Sequence, residues 1–409
     1  MKSAQSPYQF AAFRWLMGIY LAVHFAHLLP WGPELFSAQG ALPDPSVSPL
    51  YGLFPNLLAY WDSPASVRIF LALMALVSLS FAFGIQRQTA ALLLWYGWTC
   101  LFNRNPLISN PGLPYVGLIL VLSALVPSGE GLRPGQWSAQ SGWAMPLWVP
   151  RAAFFLLMAG YTYSGLGKLQ SPSWRSGEVL GLLADNPLAR DWFFRDLLKS
   201  LPAGLLRAMG WGALAAEILA LPLCLFPQGR ALAWLTTLSL HLGILMVIDF
   251  ADLTLGMVMA HLFVFNPLWL PAVKAGRART VFFDGVCALC DGTVRFLISE
   301  DPRKLLRFAP LQGSTAALKL GSLAAGDGLA LKSIVYLREG ENALTRSSAV
   351  LGILKDLGGF WRLLSWLRLL PAPLRDLIYN WIGENRYRWF GQYEACRLPG
   401  AGEKELFLP

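Results

Sequence analysis

Apolar residues dominate the chain up to about residue 271 and are interspersed with polar ones beyond it. Apolar stretches long enough to cross a hydrocarbon core of roughly 30 Å lie at about 9–29, 66–85, 89–104, 112–127, 148–166, 208–226, 230–248 and 253–270. They predict an α-helical polytopic membrane domain of eight spans, or seven if one of the short third and fourth stretches is re-entrant. Segments 47–60 and 178–207 mix apolar and charged residues in helical rhythm and predict two interfacial helices. Further on, the pattern predicts strands at 281–283, 305–309, 333–338 and 343–346, helices at 288–300 and 314–321, and more helices from Ser348.

That order, β-α-β-α-β-β-α, predicts an α/β thioredoxin-like domain over 281–409, joined by a basic linker at 274–280 to the membrane domain of 1–273. Composition sharpens the division. Of 409 residues 55% are hydrophobic and 14% charged, where soluble domains carry about a quarter charged. The net charge of +9 fits basic cytoplasmic loops, and no nucleic-acid-binding motif accompanies it. The first residues lack a small-residue cleavage site after a short apolar core, so the first helix is expected to stay as a span.

Lys and Arg in short loops set the orientation. With the N-terminus inside, Lys2, Arg87, Arg133, Arg230, Lys274, Arg277 and Arg279 fall on the inner side, and Glu34, Asp44, Asp62, Asp249 and Asp252 outside, Arg104 being the exception. An even span count returns the chain to the cytoplasm. The expected protein is therefore a multi-pass inner-membrane protein with both termini in a reducing compartment.

Candidate chemistry begins at VFFDGVCALCDG, residues 281–292, where a Cys-x-x-Cys stands between strand and helix. Cys287 is expected in the opening turn, where free backbone N–H groups and the helix dipole favour a thiolate, with its sulfur ionised and reachable. Cys290, one turn on, is placed to attack a mixed disulfide formed there. A zinc site needs two more ligands, yet no second Cys-x-x-Cys exists and His24, His27, His241 and His261 all lie in the membrane part, so no metal is expected. Cys100 and Cys224 sit in apolar runs and read as small buried hydrophobes, while Cys396 has no assigned role. Asp284 serves either proton transfer involving Cys290 or an Asx-type contact in the turn.

The blocks FFDGVCALCDGTVRFLISED, LLRFAPLQG, TRSSAVLGIL and LIYNWIGENRYRWFG, in that order, resemble the DCC family of thiol-disulfide oxidoreductases, whose Asp-x-x-Cys-x-x-Cys signature is matched by Asp284, Cys287 and Cys290. The resemblance implies a thioredoxin-like fold and protein-disulfide reductase activity, with Cys287 attacking and Cys290 resolving and no cofactor required. One departure from better-known thioredoxin-fold enzymes is that no proline precedes the 333–338 strand. The Trp- and Arg-rich tail, FWRLLSWLRLL and LIYNWIGENRYRWF, reads as helices packing on the sheet or as a membrane-docking surface.

TYSGLGKLQSPSWRSG (162–177), FNRNPLISNPG (102–112) and the isolated His241 resemble the horizontally transferred transmembrane (HTTM) domain related to vitamin K-dependent γ-carboxylase. That resemblance implies a base at Lys168 and a quinone or other lipid-soluble ligand in the membrane domain, with His241 a further contact. The FNRN stretch lacks the histidine of active relatives, which argues against carboxylation itself. His24 and His27, three apart, could line a pocket. The sequence thus favours a membrane-bound thiol-disulfide oxidoreductase acting on protein or small-molecule disulfides, with the lipid bilayer and no nucleic acid as partner. A quinone-dependent modifying enzyme and a non-enzymatic membrane adaptor are the alternatives.

Overall fold

The computed structural model describes residues 5–140, 142–249, 251–269, 278–301, 303–324, 333–359, 361–394 and 403–409. The chain divides into two compact units, Met1–Gly135 with Gln140–Asn266, and Gln136–Ala139 with Pro267–Pro409. Residues 274–277 of the expected linker lie outside the described ones, as does Cys396.

The first unit is built from α1 (Pro7–Leu28), α2 (Pro64–Phe83), α3 (Arg87–Arg104), α4 (Leu113–Ala124), α5 (Trp148–Lys168), α6 (Ala203–Ile218), α7 (Ala220–Leu225), α8 (Arg230–Val247) and α9 (Ala251–Val264). Helix starts are chemically marked. Ser6 accepts from Gln9 N–H ahead of Pro7, and Ser63 accepts from Ser66 N–H ahead of Pro64. Helix α1 lies close against α2, where a Cβ on Gly18 would come within 2.5 Å of the Ala82 Cβ. Small residues permit that approach.

Each expected span overlaps a helix, with 208–226 divided between α6 and α7, while 112–127 and 253–270 extend beyond the ends of α4 and α9. Among the described residues, two helices, Pro64–Phe83 and Arg230–Val247, are long and apolar enough to cross a membrane; α4 and α9 are apolar but shorter. Both long helices turn apolar residues outward, since only 33% and 17% of their spans are buried. Ile69, Leu73 and Leu76 on α2 and Leu232 and Leu235 on α8 are exposed, while the interior holds charge. There Arg14 and Arg87 both pair with Glu130, at 2.9 and 3.0 Å.

The two interfacial helices need correction. Residues 47–60 contain only single 3₁₀ turns, Pro45–Val47 and Leu57–Ala59, because Pro49, Gly52 and Pro55 interrupt any longer helix. The 178–207 segment breaks into Val179–Ala184 and Phe193–Ser200 before α6 begins, with Pro187 and Pro202 standing at the interruptions.

The second unit carries β1 (Arg279–Phe283), α10 (Ala288–Glu300), β2 (Leu306–Pro310), α11 (Ser314–Ala324), β3 (Val335–Arg338), β4 (Leu344–Thr345), α12 (Arg346–Leu357) and α13 (Ala372–Phe390). The expected element order is present, though β4 is shorter than 343–346. The sheet runs β2-β1-β3-β4, with β1 parallel to β2 and antiparallel to β3. Period-two alternation sends Val281 and Phe283 into one core with Val294, Leu297 and Ile353, and Phe282 into another with Ala316 and Leu320. Strand β1 is covered on both faces, and its C-terminal end delivers the chain to the Cys-x-x-Cys.

Asp356 ties α12 to the sheet by accepting from Tyr336 Oη at 2.6 Å and Arg338 Nε at 2.7 Å, with Arg279 Nε at 3.3 Å. Replacing Asp356 with alanine removes the acceptor of the buried Tyr336 hydroxyl and is expected to cost about 2 kcal/mol, read as a lower urea midpoint in hydrogen exchange of β1 and β3. Helix α13 packs against the sheet side of the unit, the first of the two readings of the tail. Tyr379 Oη accepts from Ile334 N–H at 3.0 Å on the inner side. Leu374, Leu377, Ile378 and Trp381 are exposed.

Candidate active site

Leaving β1, the chain turns through Asp284–Val286. The Asp284 carboxylate accepts from Val286 N–H at 3.3 Å, and its backbone carbonyl accepts from Cys287 N–H at 3.3 Å. The Asx contact is therefore present. Cys287 is the N-cap of α10, with φ −87° and ψ 121°, one position ahead of the expected opening turn. At a cap the side chain faces the free N–H groups of the first turn.

Several influences act on the Cys287 thiol. The Cys290 S–H is the strongest, burial opposes it, the Cys290 and Leu289 backbone N–H groups add to it, and the Arg386 guanidinium contributes charge; together they lower the Cys287 thiol to about 6. Cys290 moves the other way. Its hydrogen bond to Cys287, burial and the neighbouring thiolate charge raise it far beyond the usual thiol range. The surroundings thus favour the negative charge on Cys287 and the proton on Cys290.

Asp284 is enclosed by donors from distant segments. Gln312 Nε2 donates to one carboxylate oxygen at 3.1 Å; Arg386 Nη2, at 3.1 Å, and Tyr387 Oη donate to the other. Burial alone would raise this carboxyl, but the bonds from Tyr387, Gln312, Val286 and Arg386 outweigh it and hold Asp284 below the usual carboxylate range. Sequence reasoning missed Gln312, Arg386 and Tyr387. They stand in the FAPLQG and ENRYRWFG blocks, yet Arg386 and Tyr387 are 102 and 103 positions from Asp284, beyond the reach of local pattern.

One expectation fails. Cys287 is 0% exposed, because the segment after α13 pairs with the backbone around it: Gln392 forms an antiparallel bridge with Cys287. The surroundings favour a thiolate at Cys287, but the sulfur is not openly reachable.

Residues 281–392 match the family described as DCC1-like thiol-disulfide oxidoreductase. The uncharacterized protein YuxK of Bacillus subtilis is 40% identical over 134 residues, which are 32% of this chain and 94% of that protein. The chain belongs to the DCC1-like thiol-disulfide oxidoreductase family. A chloroplastic DCC family protein of Arabidopsis thaliana is 37% identical over 120 residues, 29% of this chain and 68% of that one. No solved structure matches the chain at a significant level. The family match lies wholly within the C-terminal unit and includes Asp284, Cys287, Cys290, Gln312, Arg386 and Tyr387.

The other candidate residues belong to the first unit. Lys168, at the end of α5, donates to both carboxylate oxygens of Glu217 at 2.5 and 2.7 Å and lies 4.6 Å from the Trp174 ring centroid. His241, on α8, is buried with its ring 5.7 Å from that of Tyr161 and 6.0 Å from that of His261. His24 is buried against Trp98 while His27 is exposed, so these two do not line one pocket. Cys100 and Cys224 are buried free thiols. Among the described residues no cluster of three His, Cys, Asp or Glu side chains could hold a metal.

Proposed function

We propose that this DCC1-like protein is a membrane-bound protein-disulfide reductase acting through Cys287 and Cys290. The observation that carries the reading is the placing of the pair, with Cys287 at the N-cap of α10 and Cys290 one turn on, an arrangement that lowers the Cys287 thiol and raises that of Cys290. The sheet order β2-β1-β3-β4, with the dithiol between β1 and its following helix, supports a thioredoxin-like fold for the unit.

In the forward reaction the Cys287 thiolate forms a bond to one sulfur of the substrate disulfide as that disulfide breaks, and the other sulfur leaves as a thiolate. Cys290 loses its proton to the departing thiolate and attacks the Cys287 sulfur, releasing the second substrate sulfur. The substrate gains two electrons, the protein holds a Cys287–Cys290 disulfide, and an external thiol or dithiol restores it. Asp284, saturated with donors and ionised, is a poor proton acceptor. The hydrogen bond to Cys287 and the charge of its thiolate keep Cys290 protonated, and hence a donor, until the mixed disulfide has formed. Purified full-length protein supplied with dithiothreitol is expected to accelerate insulin reduction; a rate equal to that of dithiothreitol alone contradicts the proposal.

Two observations support the membrane assignment: the outward apolar faces of α2 and α8, and the exposed Leu374, Leu377, Ile378 and Trp381 of α13, which stand among Arg375 and Arg388. An apolar face edged by arginines suits an anionic lipid surface. In nanodiscs, amides of 372–390 are expected to exchange at least roughly fivefold more slowly with anionic than with zwitterionic lipid, the effect of one engaged arginine. Equal exchange rates contradict this docking.

A further inference from the structure

Cys287 has to meet a substrate sulfur, and the backbone that now flanks it indicates how. After α13 the chain turns at Gly391, whose φ of 89° suits glycine, and returns along the start of α10. Ala288 N–H donates to the Gly391 carbonyl at 3.3 Å, and Tyr393 N–H donates to the Val286 carbonyl at 2.9 Å. These bonds lie on either side of Cys287 and Gln392, which makes the two residues a non-hydrogen-bonded antiparallel pair. In such a pair the Cα atoms stand about 4.5 Å apart, inside the roughly 4.4–6.8 Å that a disulfide spans. Gln392 is exposed, so its position opens to solvent although Cys287 does not.

We propose that the Val286–Ala288 edge is a docking site for an extended, disulfide-bearing polypeptide, which displaces Gly391–Tyr393 and sets its cysteine where Gln392 now lies. The inference rests on Cys287 being the attacking sulfur. The substrate carbonyl preceding the cysteine takes the Ala288 N–H, and the N–H following the cysteine donates to the Val286 carbonyl. Recognition is by main chain, as in strand addition to a sheet edge, so it selects extended polypeptides over small disulfides and tolerates varied side chains. The covalent step is the exchange given above, with one S–S bond made as one breaks and a thiolate leaving.

The test uses the full chain with Cys290→Ser, which stops at the mixed disulfide, and an unstructured peptide whose single cysteine carries a thionitrobenzoate leaving group. Methylating the backbone nitrogen of the residue just after the cysteine should slow release of thionitrobenzoate about fivefold, the worth of one net hydrogen bond. Methylation one residue further along should leave the rate at that of the parent peptide. Equal rates for all three peptides overturn the docking site while leaving the redox reading intact. No release from any of them overturns both. Tyr393→Pro, which deletes the N–H that holds the segment, should raise the parent peptide's rate by a similar factor; an unchanged rate also counts against displacement.

Discussion

Cys287→Ser is expected to lower disulfide-reductase turnover on the order of a thousandfold or more, the scale on which removal of a nucleophile acts in covalent catalysis. A serine hydroxyl at the cap has neither the polarisability nor the ionisation of a thiolate there. Cys290→Ser should behave differently. It retains the first step and loses the second, so a stable adduct of protein and substrate accumulates and is seen intact by mass spectrometry under non-reducing conditions. If both variants lose adduct formation equally, Cys287 is not the distinct attacking group. If Cys287→Ser keeps wild-type turnover, the chemistry lies elsewhere in the chain.

The second large effect is on pH. With Cys287 at about 6, iodoacetamide should modify it at a rate that follows one ionisation near that value and changes little above pH ~7.5. An ordinary thiol near 8.5 is only a few per cent ionised at pH 7, so the gain in thiolate there is roughly thirtyfold. Lower basicity weakens the nucleophile and offsets part of that gain. Cys290→Ala removes the strongest cause of the shift and should move the inflection upward; Arg386→Ala should move it upward by less. The same depression links to stability. A group whose folded value lies below its unfolded one stabilises the folded state above the unfolded value and loses that contribution as pH falls through the folded value. Reduced protein should therefore lose thermal stability as pH falls from about 9 to about 6, while oxidised protein, lacking the thiol, should not show this component. An inflection near 8.5 in wild type, unmoved in Cys290→Ala, contradicts the hydrogen-bonded pair.

Much of the C-terminal unit was legible because its elements carry local signals. Val281–Phe283 alternate between two cores, and α10 occupies 288–300 as its apolar spacing predicts. The order of strands and helices leaves little freedom once a parallel crossover is required. The interfacial helices were misread because apolar and charged residues in helical rhythm outweighed Pro49, Pro55, Pro187 and Pro202, which deny the backbone its bonds. At the site the sequence identified the two sulfurs and Asp284 but not what surrounds them. Arg386, Tyr387 and Gln312 reach Asp284 only after α13 and β2 have packed, and no periodicity records such meetings. The covering of Cys287 escaped for the same reason: a single bridge at Gln392, formed by a turn at Gly391, leaves no pattern in composition or spacing. In the first unit the helices were legible, whereas the pairing of Lys168 with Glu217 was not.

A lowered Cys287 also bears on direction, because whatever stabilises the reduced form raises the reduction potential. Nucleophiles near 7 and 3.5 accompany potentials of about −270 and −120 mV in thioredoxin and DsbA, so a value of about 6 belongs nearer the reducing end. The measurement that bears most directly on the account is a glutathione redox titration of the full-length protein, with alkylation and mass spectrometry reporting Cys287 and Cys290 separately. The account predicts that the two lose reactivity together in one reversible two-electron step, with a midpoint roughly between −270 and −200 mV. Independent oxidation of the two sulfurs, or a midpoint near that of DsbA, would contradict it.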